Sequence, residues 1–361
     1  MIMLIEICED IIAEVEKGKE DAISTLEKIG LAYKYGKHIV FLKVKLYDRI
    51  INSNCVSAYI KNLFRQIKSK NLDIGSIKKS VTFYAQVTFN ESTQRQDNCI
   101  IINPRNNDSF EFYEETHFLV ENLLDEEFYK HCLDYYKRKN NKIKIGYSYY
   151  PLLGGGSTIT KVYQLEIKLK QHFCLAIVDS DKKCPEGSKG DTAKSLLVAD
   201  KKKPFNCKCY VMEKVMEIEN LLPTSVVEQS TNKKIPLPKE ALSFFDYKKG
   251  LCIDDKLLNK ELLQHWKEKL NGTEYYEGLT EIEGETTKTD FEIEKFKEKY
   301  KNQKLIEGFG KNVLNHCLEN YKDDLENIRD NNLTSEQKYE WTEIGKLFFE
   351  WTCAPLSPKR T

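Results

Sequence analysis

The stretch LAIVDSDKKCP, residues 175–185, runs an unbroken apolar segment into two aspartates one residue apart. Apolar residues without alternation fit a strand covered on both faces, as in a parallel sheet flanked by helices. Ligands of open α/β sheets collect outside the carboxyl ends of such strands. Asp179 and Asp181 repel each other at that end, so the segment is either a polar turn or half of a cation site.

The segments around it predict successive strand and helix units. HFLVE (117–121) reads as a short buried strand, and Leu124, Phe128, Cys132 and Tyr136, four apart, predict a helix. KIKIGYSYY (142–150) predicts a second strand, closed by PLLGGGST (151–158), whose glycines permit a tight turn. ITKVYQLEIKLK (159–170) predicts a helix, HFCLAIVDSD (172–181) the third strand, and CKCYVMEKVMEIEN (207–220) a fourth after a lysine-rich loop. Strands separated by helices imply an α/β fold with a parallel-sheet core built from βαβ units.

The flanks are less regular. Ile5, Ile12, Val15 and Leu26 give residues 2–26 a helical period, and KHIVFLKVKLY (37–47) and VSAYIKNLFRQIKS (56–69) extend a mixed, mostly helical region. VTFYAQVTF (81–89) and NCIIINP (98–104) read as strands. Beyond a polar stretch at 224–238, KELLQHWKEKL (260–270), DFEIEKFKEKY (290–300), NVLNHCLENY (312–321) and YEWTEIGKLFFEW (339–351) carry helical spacing, and 355–361 reads as a frayed tail. The expected division is a mixed α/β region over 1–113, a core over 114–225 and a mainly helical region over 226–361.

The chain has 361 residues, with Lys+Arg and Asp+Glu equal at 56 each, so no global charge points to nucleic acid or membrane. Eleven cysteines are scattered, and the first residues are acidic at Glu6, Glu9 and Asp10, unlike a signal peptide. Reduced thiols, a cytoplasmic location and no membrane partner are expected.

Acids recur at the predicted strand ends: Glu121, then Asp179 and Asp181, then Glu217 and Glu219. Residues two apart on a strand share a side, so Glu217 and Glu219 converge if the fourth strand extends that far. Carboxylates gathered at one sheet edge at reduced dielectric ask for a hard divalent cation, Mg²⁺ or Mn²⁺ rather than zinc. Taken singly, each acid also reads as a turn, a helix cap or a solvated strand residue.

In their order, HFLVENLLDEEFY, LGGGST, AIVDSDKK and MEIENLLP resemble the Toprim catalytic core of OLD-like nucleases associated with anti-phage defence. The resemblance spans residues 114–223. It implies that Glu121 is a metal-binding or general-base glutamate, that Asp179 and Asp181 are metal ligands, and that Glu219, with Glu217, is a further ligand. Asn122 stands where a glycine is usual and Met216 where an arginine is frequent. The implied activity is Mg²⁺- or Mn²⁺-dependent cleavage of nucleic-acid phosphodiester bonds, DNA or RNA. A separate regulatory ATPase is an expected partner, since no P-loop pattern occurs in the sequence, and self-association is left open.

Lys182 is a candidate for neutralising charge in the reaction. Lys182, Lys183, Lys194, Lys201, Lys202 and Lys203, from a stretch with eight lysines against three acids, are candidates for holding a phosphate backbone. A glycosyltransferase using the Asp-x-Asp explains Asp179 and Asp181 but leaves Glu121, Glu217 and Glu219 idle. A non-catalytic nucleic-acid or partner-binding module is the third reading. Cys207 and Cys209, near Cys184 and His172 in sequence, have poor zinc spacing. Trp266, Trp341, Trp351 and Phe348 read as packing residues.

Overall fold

A computed structural model describes residues 3–106, 109–235, 237–252, 257, 259–286 and 303–356. In the first part of the chain, β1 (Leu4–Ile7) leads through α1 (Glu9–Glu16) and α2 (Glu20–Lys34) to β2 (Ile39–Phe41). Helices α3 (Val44–Asn52), α4 (Ala58–Ser69) and α5 (Asn71–Ser80) then precede β3 (Tyr84–Val87), β4 (Gln94–Arg95) and β5 (Cys99–Ile102). These strands form a sheet in the order β2-β1-β3-β5-β4, parallel except for β4.

The second sheet begins with β6 (His117–Val120) and α6 (Leu123–Lys139). After a two-residue β7 (Gly146–Tyr147), the chain continues through β8 (Tyr150–Leu153), α7 (Ile159–Leu169), β9 (Cys174–Val178), α8 (Asp191–Asp200) and β10 (Cys207–Val211). The order β10-β9-β6-β8 is parallel throughout. Both sheets therefore place their parallel strands in the winding order second, first, third, fourth. Such an order reverses direction between the first and third strands, β1 and β3 in one sheet, β6 and β9 in the other, and opens a crevice at each reversal.

Burial explains the strand that decides this architecture. All five residues of β9 are buried, with Leu175 and Ile177 in one apolar cluster and Cys174, Ala176 and Val178 in a second on the opposite face. Two covered faces leave no polar alternation, and each fully buried Leu, Ile or Val adds about 1.5–3 kcal/mol.

The remainder of the chain packs around the sheets: α9 (Thr224–Thr231), β11 (Gly250–Cys252), α10 (Lys260–Lys269), α11 (Tyr276–Thr286), β12 (Lys304–Glu307), α12 (Val313–Asn320), α13 (Lys322–Glu326), α14 (Ser335–Thr352) and β13 (Cys353–Ala354). Strands β11 and β12 pair antiparallel, as do β13 and β7. A Thr334/Gln337 capping box starts α14, which lies along α6. Gly345 makes the approach possible, because a Cβ there would sit 2.3 Å from the carbonyl oxygen of Cys132. Phe348 stacks on Phe118 at 4.2 Å, and Trp351 meets Phe83 at 5.4 Å and Phe173 at 6.4 Å, so α14 joins the cores of both sheets. The segment FFEWTCAP is core.

Several boundaries differ from expectation. The helical period over 2–26 conceals β1, and KHIVF contains β2, because a run of three or four apolar residues has no readable period. KIKIGYSYY supplies β7 and only the first residue, Tyr150, of the strand that pairs with β6, and Pro151 suits that strand's place at the sheet edge. β10 stops at Val211, so Glu217 and Glu219 are not strand residues. The lysine-rich stretch contains α8. The expected helix at 290–300 lies outside the described residues, as does most of the expected tail. Among the described residues no helix is long and apolar enough to cross a membrane.

Candidate metal centre

Glu121 follows the last residue of β6. Asn122 caps α6 in extended backbone (φ −149°), so the turn needs no glycine here. Its Oδ1 accepts from the amides of Leu124 (2.9 Å) and Asp125 (3.2 Å), while Asp125 Oδ2 accepts from the Asn122 amide at 3.1 Å. The glycine turn supports the same spot, for the Gly155 amide donates to the Glu121 carbonyl at 3.0 Å. Gly155 and Gly156 have φ of 60° and 54°, and a Cβ on Gly154 would fall 2.3 Å from that of Ile159. Glycine is the residue type that fits both demands.

Across the crevice, Asp179 follows the last residue of β9 and its Oδ1 accepts from the Ile218 amide at 2.9 Å. The amides of Ser180 and Asp181 both donate to the Met216 carbonyl, and buried Ser180 Oγ donates to Val215 at 2.6 Å. Asp181 adopts a left-handed φ of 55°. Gly190 lies so close that a Cβ there would be 2.2 Å from Asp181 Oδ2.

Glu217 and Glu219 arrive on a 3₁₀ turn, Ile218–Leu221, rather than on a strand. Asn220 organises it: Oδ1 accepts from the Glu217 amide (2.9 Å), and Nδ2 donates to the carbonyls of Leu242 (2.7 Å) and Phe245 (2.8 Å). From behind, Gln337 Nε2 of α14 donates to the carbonyls of Asn220 and Leu222, and Trp341 Nε1 to that of Leu221 at 2.9 Å. The segment clamped by Asn220 leads to Lys248, whose Nζ stands 3.1 Å from both Glu217 Oε2 and Glu219 Oε1.

Asp179, Glu217 and Glu219 each offer a carboxylate oxygen within 4.8 Å of the other two. Ligands at 2.0–2.6 Å from one hard cation are about 3–5 Å apart, so the triad fits such an ion. Glu217 Oε1 and Glu219 Oε2 are buried without a hydrogen-bond partner. Leaving buried acceptors unmatched costs about 1–3 kcal/mol each, more for charged groups, and a cation would remove that cost.

Lys248 alone does not balance the acids. Burial, then the charge of Glu219, raises Asp179 well above the usual carboxylate range. Glu217 is pushed up to about 7 by burial and then Glu219, and Asp125 to about 7 by burial and then Glu121. Burial and the neighbouring Asp181 raise Glu121. Lys248 is raised: burial opposes its charge, but Glu219 and Glu217 outweigh that.

A cleft of about 990 Å³ opens over Asp181 and Glu217, with Lys183, Lys189, Lys194 and Lys249 among its lining residues. Lys182 instead points its ammonium at Phe244, 5.8 Å away, and lines an adjoining pocket with Lys214 and Lys269. Lys201, Lys202 and Lys203 follow the end of α8, close to the amino end of β10, and Lys203 pairs with Asp97 at 3.1 Å. A five-residue strand, ~17 Å long, separates that end of the sheet from the acids. Cys207 and Cys209 are buried in β10, and no Cys/His metal group occurs among the described residues.

Asp125 and Lys248 went unforeseen. Asp125 had a signal, since four residues after Glu121 is one turn into the helix that Glu121 precedes. Lys248 had none; its partnership with Glu217 bridges 31 positions of irregular chain. The chain matches no family model, no curated protein and no solved structure.

Proposed function

We propose that the chain is a divalent-metal-dependent nuclease that hydrolyses nucleic-acid phosphodiester bonds at this centre. The observation that carries the reading is the triad Asp179–Glu217–Glu219, with two buried oxygens unmatched, beside a cleft bordered by lysines. A hard cation bound there would supply Lewis-acid stabilisation of a phosphoryl oxygen and lower the pKa of a coordinated water. Glu121, ionised less readily than an ordinary glutamate, would take a proton from the attacking water. Lys183 and Lys194 would hold flanking phosphates, and Lys248 would hold Glu217 and Glu219 in place. Lys182 keeps a supporting role in charge balance from the adjoining pocket, and the Lys201–Lys203 run is not assigned to the substrate.

The nucleotide-sugar reading is weaker because it uses only Asp179 and Asp181, whereas Glu121, Asp125, Glu217 and Glu219 share their electrostatic environment. A Toprim-like core of the OLD type, a role in anti-phage defence and control by a separate ATPase belong to the same proposal and rest on the sequence motifs. The test incubates plasmid DNA and RNA with Mg²⁺ or Mn²⁺ and wild-type, Asp179→Asn or Glu219→Gln protein. Each substitution is expected to lower cleavage by about 10²-fold or more. Cleavage that is metal-dependent yet survives both substitutions removes the assignment, and calorimetry with Mn²⁺ reads the centre independently of turnover.

A further inference from the structure

The first sheet has the same winding order as the second, and it too has a pocket beyond its strand ends. Asp10, after β1, accepts from Thr88 Oγ1 (2.8 Å) and the Phe89 amide (2.6 Å), which closes the crevice between β1 and β3. Open space is displaced sideways, to the loops after β3 and β5 and the first turns of α2. A pocket of about 340 Å³ lies there, walled by Phe89, Phe110, Phe112, Tyr113 and Pro104. That volume is at the small end of ligand pockets, about 300–1,000 Å³.

The loops are preformed. Asn103 Nδ2 donates to the carbonyls of Phe89 (3.1 Å) and Glu91 (2.9 Å), and Asn103 Oδ1 accepts from the Arg105 amide at 3.0 Å. Phe110 packs edge-on against Phe173 and Phe205, which fixes the pocket wall to the second sheet. The polar groups gather on one side: Asp21, Ser24, Thr25 and Lys28 from α2, with Arg105 facing them. Arg105 lies 3.7 Å over the Phe89 ring and is neutralised by Asp21 and Glu14 at 2.5 and 3.4 Å. Lys28 sits 5.0 Å from the centre of the Tyr113 ring, and no carboxylate among the described residues pairs with it.

We propose that this pocket is a second binding site, for a nucleoside monophosphate whose base lies among the aromatic rings and whose phosphate meets Lys28. Aromatic walls favour a flat conjugated ring, at about 1–3 kcal/mol for a stacked base. One ammonium unpaired among the described residues, beside two hydroxyl-bearing residues, suits a single phosphate rather than a triphosphate. Nothing in this site depends on the acidic centre.

The test is calorimetric titration of the full chain with AMP, GMP, CMP and UMP in the presence of EDTA, which denies any metal-bridged binding at the acids. Adenosine and inorganic phosphate, titrated separately, divide the base from the phosphate contribution. At least one mononucleotide is expected to bind in the micromolar to millimolar range, and more tightly than either fragment. Lys28→Gln, an exposed change, should weaken it roughly tenfold, equivalent to about 1.4 kcal/mol. Ser24→Trp, which fills the pocket from a solvent-facing position, should abolish binding, while Asp179→Asn should not alter it. No binding by any of the four, or binding indifferent to both Lys28→Gln and Ser24→Trp, overturns the proposal.

Discussion

At the scale of the residue, Glu217 carries the sharpest consequence of crowding acids together. Its folded-state pKa is about 7, against ~4.3 for an exposed glutamate. Between those values the folded protein holds a proton that the unfolded chain has released. Its contribution to stability therefore falls as pH rises from about 4 to about 7 and stays low above that. In the metal-free protein, melting temperature relative to Glu217→Gln should decline from about pH 5 to about pH 8, as read by scanning fluorimetry. Saturating Mn²⁺ should raise the wild type most at the alkaline end, since protons no longer compete for the carboxylates. Gly190→Ala makes a separate point. Its backbone tolerates alanine (φ −64°), but the new methyl would collide with Asp181. Substrate cleavage should fall about tenfold or more while the melting temperature moves little, as a displaced group near the reacting atoms implies. Of the five acids of the sequence reading, Asp179, Glu217 and Glu219 form the triad, whereas Glu121 and Asp181 lie outside it. Glu121 and Asp179 were placed by the strands they follow, Glu217 and Glu219 by a turn that no strand pattern could announce. Lys248 was illegible because only the Asn220 clamp, a contact between distant segments, delivers it.

Among the elements, α14 is the one whose contribution to the centre is least expected from its sequence. Its apolar spacing announced a core helix, and Trp341, Ile344, Phe348 and Trp351 are buried accordingly. The same helix directs Gln337 and Trp341 at three consecutive carbonyls of the turn bearing Glu219. Trp341→Phe should cost about 1–3 kcal/mol in urea unfolding, from the lost indole hydrogen bond and the volume removed. Because the turn is loosened, Mn²⁺ affinity measured by calorimetry should fall too. Loss of stability with unchanged affinity would confine α14 to a packing role. Periodicity reported what α14 buries, whereas its three hydrogen bonds to that turn depend on which loop docks there. For the short strands the reverse held. β9 was readable because both faces are apolar, while β1, with Glu6 on it 3.1 Å from Lys78, broke the pattern.

Over the whole molecule, two α/β sheets of one winding order share a continuous apolar cluster. Trp351 touches aromatic rings from both, and β13 pairs with β7 beside it. Such sharing couples the halves. Denaturant unfolding should then show coincident transitions by far-ultraviolet circular dichroism and tryptophan fluorescence. Trp266, Trp341 and Trp351 are all buried and report on it together. Two separated transitions would mean that the sheets unfold independently. The α/β class and the second sheet's strand count were legible, since strand and helix signals alternate regularly over residues 114–223. The first sheet was only partly so, as its strands β3 and β5 stood out and β1 and β2 did not. That the two sheets repeat one topology is visible only once their pairings are known.

The position of α14 in the chain also governs when the turn bearing Glu217 and Glu219 receives its backing during synthesis. About 160 residues separate Asp179 from the start of α14, roughly eight to thirty seconds of translation at ~5–20 residues per second. Until Gln337 and Trp341 have left the ribosome, the turn that brings Glu217 and Glu219 to Asp179 has the Asn220 clamp and Lys248 but lacks the three hydrogen bonds that back it from α14. The nascent polypeptide thus carries that turn without its support from α14 for most of its synthesis, and the fully backed arrangement of the acids is reached only by chains that have been translated nearly through.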